Sequence, residues 1–448
     1  MNDTIVAIST SLGVGAISII RLSGKDSIEI VNSCFKGKDL RKVDTHTINY
    51  GYIIYNNEII DEVLVSVMRA PKTYTTEDIV EINCHGGITS TNKILEIMQL
   101  EGCRLAEPGE FTKRAFLNGR IDLLESESIM DMINSKSEEA RKLSMNGITG
   151  HISNKIESFR EKLKKVLSQI EVNIDYPEYY DIEVITEEKI KNIIKKLKEK
   201  LIDLVKDSEN GITIKNGIKT VIVGRPNVGK SSILNKLLKE EKAIVTDIEG
   251  TTRDTVEGEI LLDGILLNII DTAGIRKTED KVEKIGVEKS LSKIEEADLV
   301  ILVINGSEEL TETDKELLEE TKDKTRIIVI NKNDLKNKVN LNNNNIVYTN
   351  TLTDEGILTL VEKIKELFNL EQIKTKDYTY LSNTRQITLA KQALKNLLDA
   401  EKGIEENLPV DMVEIDLKNC FENLGEIIGK NYSNEIIDNL FKNFCVGK

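Results

Sequence analysis

The sequence predicts a multidomain protein that combines an α/β domain, built on a mostly parallel and doubly wound sheet, with an all-α domain and a mixed α+β N-terminal domain. Residues 218–370 alternate short apolar runs with helical patterns, as a parallel sheet with crossover helices requires. The segments on either side of this region repeat apolar residues at helical spacing. Residues 1–119 differ again, because glycines separate strand-like apolar runs there. The chain is also long enough for about two to four domains.

The helical domain is predicted to have two parts, residues 120–217 and residues 371–448. In the first part, Asp175-Tyr176-Pro177 interrupts the helical pattern, and in the second part Pro409 separates two helical runs. The economical interpretation is that the α/β domain is inserted into one helical domain, whose two parts then pack together.

Residues 224–231 form a complete phosphate-binding loop, with the sequence Gly-Arg-Pro-Asn-Val-Gly-Lys-Ser. The apolar run Thr220–Val223 precedes the loop, and a helix is predicted to begin at Ser231, so backbone N–H groups can cradle a phosphate. Lys230 can reach the β- and γ-phosphates, and the Ser231 hydroxyl is suited to Mg²⁺. The nucleotide contacts predicted in this loop are Asn227, Val228, Gly229, Lys230, Ser231 and Ser232.

Two further motifs lie where a nucleotide's γ-phosphate and Mg²⁺ would be sensed. Asp271-Thr272-Ala273-Gly274 follows the apolar run Leu266–Ile270. Its aspartate is suited to hold Mg²⁺ through water, and its glycine can offer an N–H group to the γ-phosphate. Upstream lies Gly250-Thr251-Thr252-Arg253-Asp254, where a threonine can bind Mg²⁺. The segment around it is therefore predicted to be a switch loop.

A last motif identifies the base. Asn331-Lys332-Asn333-Asp334 follows the apolar run Arg326–Ile330 and has the pattern N-K-x-D. The Asp334 carboxylate can accept two N–H bonds from guanine and would repel the edge of adenine. The sequence therefore predicts GTP rather than ATP. The fifth guanine-contacting segment, Asn350-Thr351-Leu352, departs from the Ser-Ala that related proteins usually carry.

The residue that many GTPases use to orient the attacking water is absent. Many GTPases place a glutamine directly after D-x-x-G, but this chain has Ile275, which can form no hydrogen bond through its side chain. The available carboxylates downstream are Glu279, Asp280 and Glu283, and the simpler alternative is that all three are solvated loop charges. The candidates for a built-in arginine finger are Arg225, Arg253 and Arg276.

Composition limits the partners. The formal net charge is −15 and the isoelectric point is near 5.0, which argues against a large basic surface that binds nucleic acid passively. The five cysteines are scattered without a C-x-x-C pair, so we expect reduced thiols in a cytoplasmic protein. No signal peptide is recognisable, and the apolar runs are too short to cross a bilayer, so we expect no membrane association.

The ends of the chain carry motifs that point to a family. These motifs are Asp3–Ile8, Ile19–Gly24, Glu81–Gly87, Gly109–Leu123 and Phe444–Lys448. With an inserted GTP-binding domain, they closely resemble the MnmE (TrmE) family of tRNA modification GTPases, and the resemblance spans essentially the whole chain. The Gly-Glu-Phe-Thr-Lys-Arg-Ala-Phe-Leu-Asn block and the Cys-x-Gly-Lys terminus are specific to that family.

The resemblance implies a function. It implies action with the flavoprotein partner MnmG (GidA) to add an aminomethyl-type group at C5 of the wobble uridine of certain tRNAs. It also implies an N-terminal domain that resembles folate-binding modules, binds 5-formyltetrahydrofolate or a related one-carbon folate, and forms a homodimer. The GTPase domains would then meet across the dimer, with K⁺ in the GTP site.

The same resemblance assigns residues. Asn227, Thr246, Ile248 (through its backbone) and Thr251 are implied to ligate K⁺, and Ser231 and Thr252 to hold Mg²⁺. Glu283 is implied to position the hydrolytic water, which supplies the role that Ile275 cannot. The implied folate contacts are Arg21, Glu81, Arg120 and Lys448. The predicted GTP contacts outside the phosphate loop are Thr246, Asp247, Ile248, Glu249, Gly250, Thr251, Thr252, Asp271, Thr272, Ala273, Gly274, Asn331, Lys332 and Asp334.

Two other functions remain open at this point. The first is a regulatory GTPase of ribosome assembly, which would share Gly-Thr-Thr-Arg-Asp but should carry an RNA-binding module or a second GTPase domain. The chain has one phosphate loop and no G-x-x-G module with basic surroundings. The second is a folate-dependent one-carbon transferase in which GTP is only regulatory.

Overall fold

The computed structural model describes residues 3–175, 187–240, 256–262, 264–270, 293–341, 343–353, 355–368, 378–430, 432 and 434–447. These residues divide into two compact units. Unit 1 is drawn from residues 1–130, 153–184 and 409–448, and unit 2 from residues 131–152 and 185–408. The domain boundaries derived from the sequence stay a prediction.

The described helices account for the helical periodicity seen in the sequence. They are α1 Ser27–Cys34, α2 Ile88–Leu100, α3 Glu110–Leu117, α4 Leu123–Asn134, α5 Glu138–Ile148, α6 His151–Asp175, α7 Glu187–Asn216, α8 Lys230–Glu240, α9 Glu312–Glu320, α10 Ile357–Leu367, α11 Thr384–Glu405, α12 Val410–Ile427 and α13 Asn434–Phe441.

Unit 1 is built around a sheet that is antiparallel except for one pair of strands. Its strands are β1 Ile5–Ile8, β2 Ile17–Ser23, β3 Phe35–Lys36, β4 Thr47–Tyr55, β5 Glu58–Met68, β6 Ile79–His85 and β7 Arg104–Leu105, in the order β3-β4-β5-β6-β2-β1-β7. Only β1 and β7 pair in parallel among these strands. Strand residues of alternating position, such as Val63 and Val65, share a buried core with Ile94 and Ile97 of α2. The predicted α+β N-terminal domain is confirmed.

A buried ion cluster fastens α3 to the sheet of unit 1. The Arg114 side chain is 1% exposed and donates hydrogen bonds to the carboxylates of Glu77, at 3.0 Å, and Glu110, at 3.1 Å. It also contacts Asp3, at 2.9 Å. Burial alone would raise the pKa of the Glu110 carboxyl, but hydrogen bonds from Arg104, the Glu107 N–H and Arg114 outweigh it and lower the pKa.

We expect Arg114→Ala to destabilise the protein by about 3–5 kcal/mol, because the substitution removes the buried guanidinium that Glu77, Glu110 and Asp3 share. Because the pKa of Glu110 is lowered in the folded state, the ionised carboxylate contributes to the free energy of unfolding above the ordinary carboxyl pKa of 4.5. This contribution is lost as the pH falls through the lowered pKa of the folded protein. Melting temperatures measured between pH 3 and pH 7 test both the destabilisation by Arg114→Ala and the pH dependence that Glu110 causes. Lys93→Ala, on the surface of α2, is the control. An unchanged melting temperature in Arg114→Ala would contradict the predicted destabilisation.

Unit 2 contains the predicted parallel, doubly wound sheet. Its strands are β8 Ile218–Val223, β9 Val256–Leu262, β10 Ile265–Ile270, β11 Leu299–Asn305, β12 Arg326–Asn331 and β13 Ile346–Thr349, in the order β13-β12-β11-β8-β10-β9. All described pairs are parallel except β9 with β10. Both faces are buried, since Ile301 packs with α8 and α10 on one side and Leu302 packs towards α9 on the other. The predicted α/β fold class is confirmed.

Two boundaries differ slightly from the sequence-based expectation. Strand β8 begins at Ile218 instead of Thr220, because Ile218 already pairs with Leu267 of β10. Helix α8 begins at Lys230 instead of Ser231, since the Gly229 carbonyl already accepts a helical hydrogen bond from the Ile233 N–H.

Candidate functional site

Parallel pairing brings the predicted GTP motifs to one edge of the sheet of unit 2. Val223, the last residue of β8, lies opposite Leu302 of β11, and Asn305 of β11 lies opposite Asn331 of β12. The carboxyl ends of these three strands therefore lie side by side. Ligands of open α/β sheets bind at this edge.

The phosphate-binding loop has the backbone shape that its glycines predict. The φ angles are +149° at Gly224 and +104° at Gly229, and Asn227 lies in the left-handed region with φ +63°. A Cβ atom at Gly224 would overlap the carbonyl oxygen of Val303, and one at Gly229 would overlap the side chain of Asn331. Both glycines are therefore required by close packing as well as by conformation.

Lys230 lies against the loop instead of extending into solvent. Its ammonium donates hydrogen bonds to the carbonyl oxygens of Gly224, at 2.7 Å, and Arg225, at 2.8 Å. Burial lowers the pKa of this ammonium. The lysine thus sits at the first turn of α8, where its charge can serve a phosphate held by the helix N-terminus.

The N-K-x-D motif contacts the phosphate loop directly. The Asn331 side-chain amide donates to the Val228 carbonyl at 2.9 Å and accepts from the Thr349 hydroxyl at 3.1 Å. Lys332 has a φ of +63°, and the chain then turns so that Asp334 is exposed at the sheet edge. The predicted base-recognition and phosphate-binding residues are therefore brought together. The sequence alone contained no sign of the Asn331–Val228 contact.

The atypical fifth segment forms a turn of its own. Asn350 is buried, and its side-chain oxygen accepts a hydrogen bond from the Leu352 N–H at 3.0 Å. Its backbone N–H donates to the Glu355 carbonyl at 2.9 Å. The asparagine thus shapes the turn that follows β13.

The predicted switch residues lie outside the described residues. They are Thr246–Thr252, Asp271–Gly274 and Glu283, with Ile275, Arg253 and Arg276. The described strands lie between the two switch motifs in sequence: β9 begins at Val256, shortly after the first motif, and β10 ends at Ile270, directly before the second.

Two of the predicted folate residues of unit 1, Arg21 and Arg120, share the aromatic neighbour Tyr74, and the Arg21 guanidinium also lies 5.7 Å from the centre of the Phe111 ring. Arg21 and Glu81 are register partners on β2 and β6, and they form a salt bridge of 2.7 Å. The Arg21 guanidinium lies 5.8 Å from the centre of the Tyr74 ring, and the Arg120 guanidinium lies 4.6 Å from it. Sequence reasoning missed Tyr74, which lies in a loop before β6 and belongs to no recognisable motif.

The C-terminal motif reaches the same cluster. The Gly447 carbonyl accepts hydrogen bonds from the Ser9 hydroxyl, at 3.0 Å, and from Arg21, at 3.2 Å. Lys448, the fourth predicted folate contact, lies outside the described residues. The preceding residue nevertheless brings the end of the chain to Arg21.

Within the described part of the chain, no helix combines the length and apolar character that crossing a bilayer requires. The described residues also contain no group of three or more histidine, cysteine, aspartate or glutamate side chains arranged to hold a metal ion.

Comparison with known proteins covers the whole chain. The family model for the GTP-binding protein TrmE N-terminus matches residues 4–120, and the model for the MnmE helical domain matches residues 123–445. Among solved structures, the G domain of the T. maritima FeoB iron transporter is 27% identical over 34% of this chain and 98% of its own, with a TM-score of 0.24.

Three relatives named tRNA modification GTPase MnmE are each 50% identical to this chain over its full length. They come from Ligilactobacillus salivarius, with 98% of the relative covered, Streptococcus thermophilus, also 98%, and Bacillus licheniformis, 100%. Identity of this extent favours tRNA modification over the ribosome-assembly alternative. The predicted family is confirmed: the chain belongs to the MnmE family of tRNA modification GTPases.

Proposed function

We propose that this GTPase acts with the flavoprotein MnmG to add an aminomethyl-type group at C5 of the wobble uridine of certain tRNAs, in the cytoplasm. The one-carbon unit would come from 5-formyltetrahydrofolate or a related folate. The observation that carries this proposal is the convergence of Arg21, Glu81, Arg120 and the C-terminal Gly447 in a chain that also carries the phosphate-loop, D-x-x-G and N-K-x-D motifs.

The nucleotide edge, which is the carboxyl edge of the unit 2 sheet where the GTP motifs lie, carries side chains suited to bind Mg²⁺ and K⁺. Ser231 lies in the first turn of α8, where its hydroxyl can serve Mg²⁺ together with Thr252. Asn227 is exposed on the loop and offers an amide oxygen, which suits K⁺ together with Thr246, Thr251 and the Ile248 carbonyl. When bound, these cations would neutralise the charge that develops on the phosphates.

Different residues of this chain would serve GTP binding and GTP hydrolysis. Lys230 would leave the loop carbonyls and contact the β- and γ-phosphates, while the Gly274 N–H contacts the γ-phosphate. Glu283 would orient the attacking water, because Ile275 offers no polar group for this task. Asp334 would hold guanine, supported by the anchored Asn331.

The charged cluster of unit 1, formed by Arg21, Glu81 and Arg120, suits the chemical groups of a reduced folate. Guanidinium groups such as Arg21 and Arg120 suit the carboxylates of the glutamyl tail, and a carboxylate such as Glu81 suits the N–H groups of the pterin ring. Arg21 and Glu81 are each only about one-fifth exposed, so their charges are less screened than those of surface residues.

We expect deletion of the last four residues to weaken 5-formyltetrahydrofolate binding by about tenfold or more, or about 1.4 kcal/mol. The deletion removes Lys448 and the Gly447 carbonyl that fixes Arg21 and Ser9. Isothermal titration of the purified protein measures the affinity. Lys442→Ala is the matched control and should bind normally, because the Lys442 ammonium, just after α13, donates a hydrogen bond to the Asn439 side chain. Undetectable binding by the intact chain would contradict the folate proposal itself.

The outer face of the unit 1 sheet supports a homodimer formed by the N-terminal domain. Ile48, Tyr50 and Leu64 are large apolar residues that are 45–69% exposed on adjacent strands, and Tyr50 lies directly opposite Leu64. A second copy of this chain would cover such a face. Light scattering should give twice the 50.4 kDa mass of one chain, and a monomer at micromolar concentration would contradict the proposal.

Reconstitution tests the proposed reaction as a whole. Unmodified tRNA is incubated with this protein, MnmG with its flavin reduced, GTP, 5-formyltetrahydrofolate as carbon source and an ammonium salt as nitrogen source, and the wobble nucleoside is then measured by mass spectrometry. We expect a C5-substituted uridine that requires all components. Full modification without this chain, or without any folate, would contradict the corresponding part of the proposal.

A further inference from the structure

We propose that Arg225 is a positioning residue for nucleotide binding. Its side chain fastens the first turn of the phosphate loop to α9 and its preceding loop, and it acts on the nucleotide through the loop backbone. This role differs from that of an arginine finger, which would contact the γ-phosphate itself.

Two carboxylates hold the Arg225 guanidinium. Its Nε atom donates to the Asp314 carboxylate at 3.0 Å, and one terminal nitrogen donates to the Glu308 carboxylate at 3.1 Å. Asp314 is only 1% exposed and Arg225 is 20% exposed, so the pair is shielded from solvent. The planar, forked donor geometry of arginine suits such a bridge, whereas a lysine ammonium is a single point charge.

The two carboxylates are themselves fixed. Asp314 accepts hydrogen bonds from the Thr311 N–H, at 3.0 Å, and the Thr311 hydroxyl, at 2.8 Å, in the capping box of α9. Glu308 accepts from the Asn305 side-chain amide at 2.7 Å, and Asn305 ends β11. The anchor for Arg225 is therefore the rigid end of a strand and the N-terminus of a helix.

The phosphate loop is thus fastened on both sides of its tip. Arg225 holds the side that leaves β8, and the Asn331 amide holds Val228 on the side that enters α8. Only Pro226 and Asn227 lie between these two attachments. Because Asn227 is the proposed K⁺ ligand, its position depends on both.

Arg225 and Lys230 contact the same turn of the phosphate loop. The Lys230 ammonium donates hydrogen bonds to the backbone carbonyls of Gly224 and Arg225, while the Arg225 side chain is held by Asp314 and Glu308. When Lys230 turns to a phosphate, these two hydrogen bonds are lost, and the bridge to Asp314 and Glu308 preserves the loop conformation. The same loop holds the β-phosphate of GTP and GDP, so both nucleotides should depend on Arg225 equally.

The test compares Arg225→Ala and Arg225→Lys in the full-length protein. Affinities for GTP and GDP are measured with fluorescent nucleotide analogues, and kcat and KM from phosphate release. We expect Arg225→Ala to weaken both nucleotides about tenfold, with kcat changed by less than about threefold. Arg225→Lys should restore part of the affinity, because an ammonium can satisfy one of the two carboxylates.

Two further variants identify the mechanism. As a single substitution, Glu308→Gln should weaken the binding of both GTP and GDP. Combined with Arg225→Ala, it should weaken binding little further, because the two side chains act as one unit. Lys315→Ala is the matched control on α9, since its ammonium pairs with the exposed Glu312, and it should leave the affinities unchanged. If Arg225→Ala does not fold, which thermal melting reveals, Arg225→Lys and Glu308→Gln carry the test.

Two results would overturn the proposal. A kcat loss of about a hundredfold with unchanged GDP affinity would make Arg225 an arginine finger. Unchanged affinities in Arg225→Ala and Glu308→Gln would leave the bridge without a role in nucleotide binding.

Discussion

Glu283→Ala is expected to lower kcat for GTP hydrolysis by about 10²–10⁴, the range for the loss of a positioned acid–base group, with GTP affinity nearly unchanged. The physical reason begins with Ile275, whose side chain cannot orient water. The arginine candidate in the described part of the chain, Arg225, is held by two carboxylates. Family resemblance assigns the water to Glu283.

The dependence of GTP turnover on the monovalent cation tests the second part of the hydrolytic mechanism, which is the role of K⁺ in the GTP site. Turnover should be markedly higher in K⁺ than in Na⁺, because carbonyl and amide oxygens of the loop are expected to match the larger ion. Asn227→Ala should abolish that difference, while Glu283→Ala should lower the rate in both salts. Single-turnover hydrolysis in matched KCl and NaCl buffers measures each effect. Equal rates in the two salts, with Glu283→Ala fully active, would contradict this mechanism.

Asp334→Asn is expected to weaken GTP by roughly a hundredfold or more and to admit xanthosine triphosphate. The wild-type carboxylate would accept two N–H bonds from guanine, and hydrogen bonds to charged groups contribute about 1.5–3 kcal/mol each. The asparagine amide places a donor where the 2-amino group needs an acceptor, and xanthine has an oxygen at that position. Competition binding with GTP, ATP and xanthosine triphosphate measures the change in preference.

The control for this prediction is the neighbouring Asn333→Ala. Asn333 is exposed, and its backbone N–H donates to the Thr349 carbonyl, which alanine retains. Guanine preference should therefore survive in Asn333→Ala. Intact guanine preference in Asp334→Asn would show that the base is recognised elsewhere.

Local chemistry made the nucleotide edge predictable from the sequence. A glycine-rich loop after an apolar run and an N-K-x-D motif after another each specify their own backbone path. Parallel pairing through β11 then places the carboxyl ends of β8 and β12 at the same edge of the sheet. The contacts that join these parts were not predictable. Asn331 reaches Val228 across 103 residues of sequence, and Arg225 reaches Asp314 across 89, so no local pattern records either pair.

The charged cluster of unit 1 shows the same limit more strongly. Arg21 and Glu81 are separated by 60 residues and meet because β2 and β6 pair in one particular register. A shift of one residue between the two strands would place the Arg21 and Glu81 side chains on opposite faces of the sheet. Composition and spacing offered no reason to connect them, and only resemblance to a family did so. Tyr74, which carries no motif, was visible only in the folded chain.

The most direct test of the central claim is the wobble-uridine nucleoside profile of tRNA from cells that lack this protein. The proposed function predicts that the C5-substituted wobble uridine disappears and returns when the wild-type gene is restored. Restoring Glu283→Ala should fail to recover it if GTP hydrolysis drives the modification. An unchanged wobble nucleoside in cells that lack the protein would contradict the account.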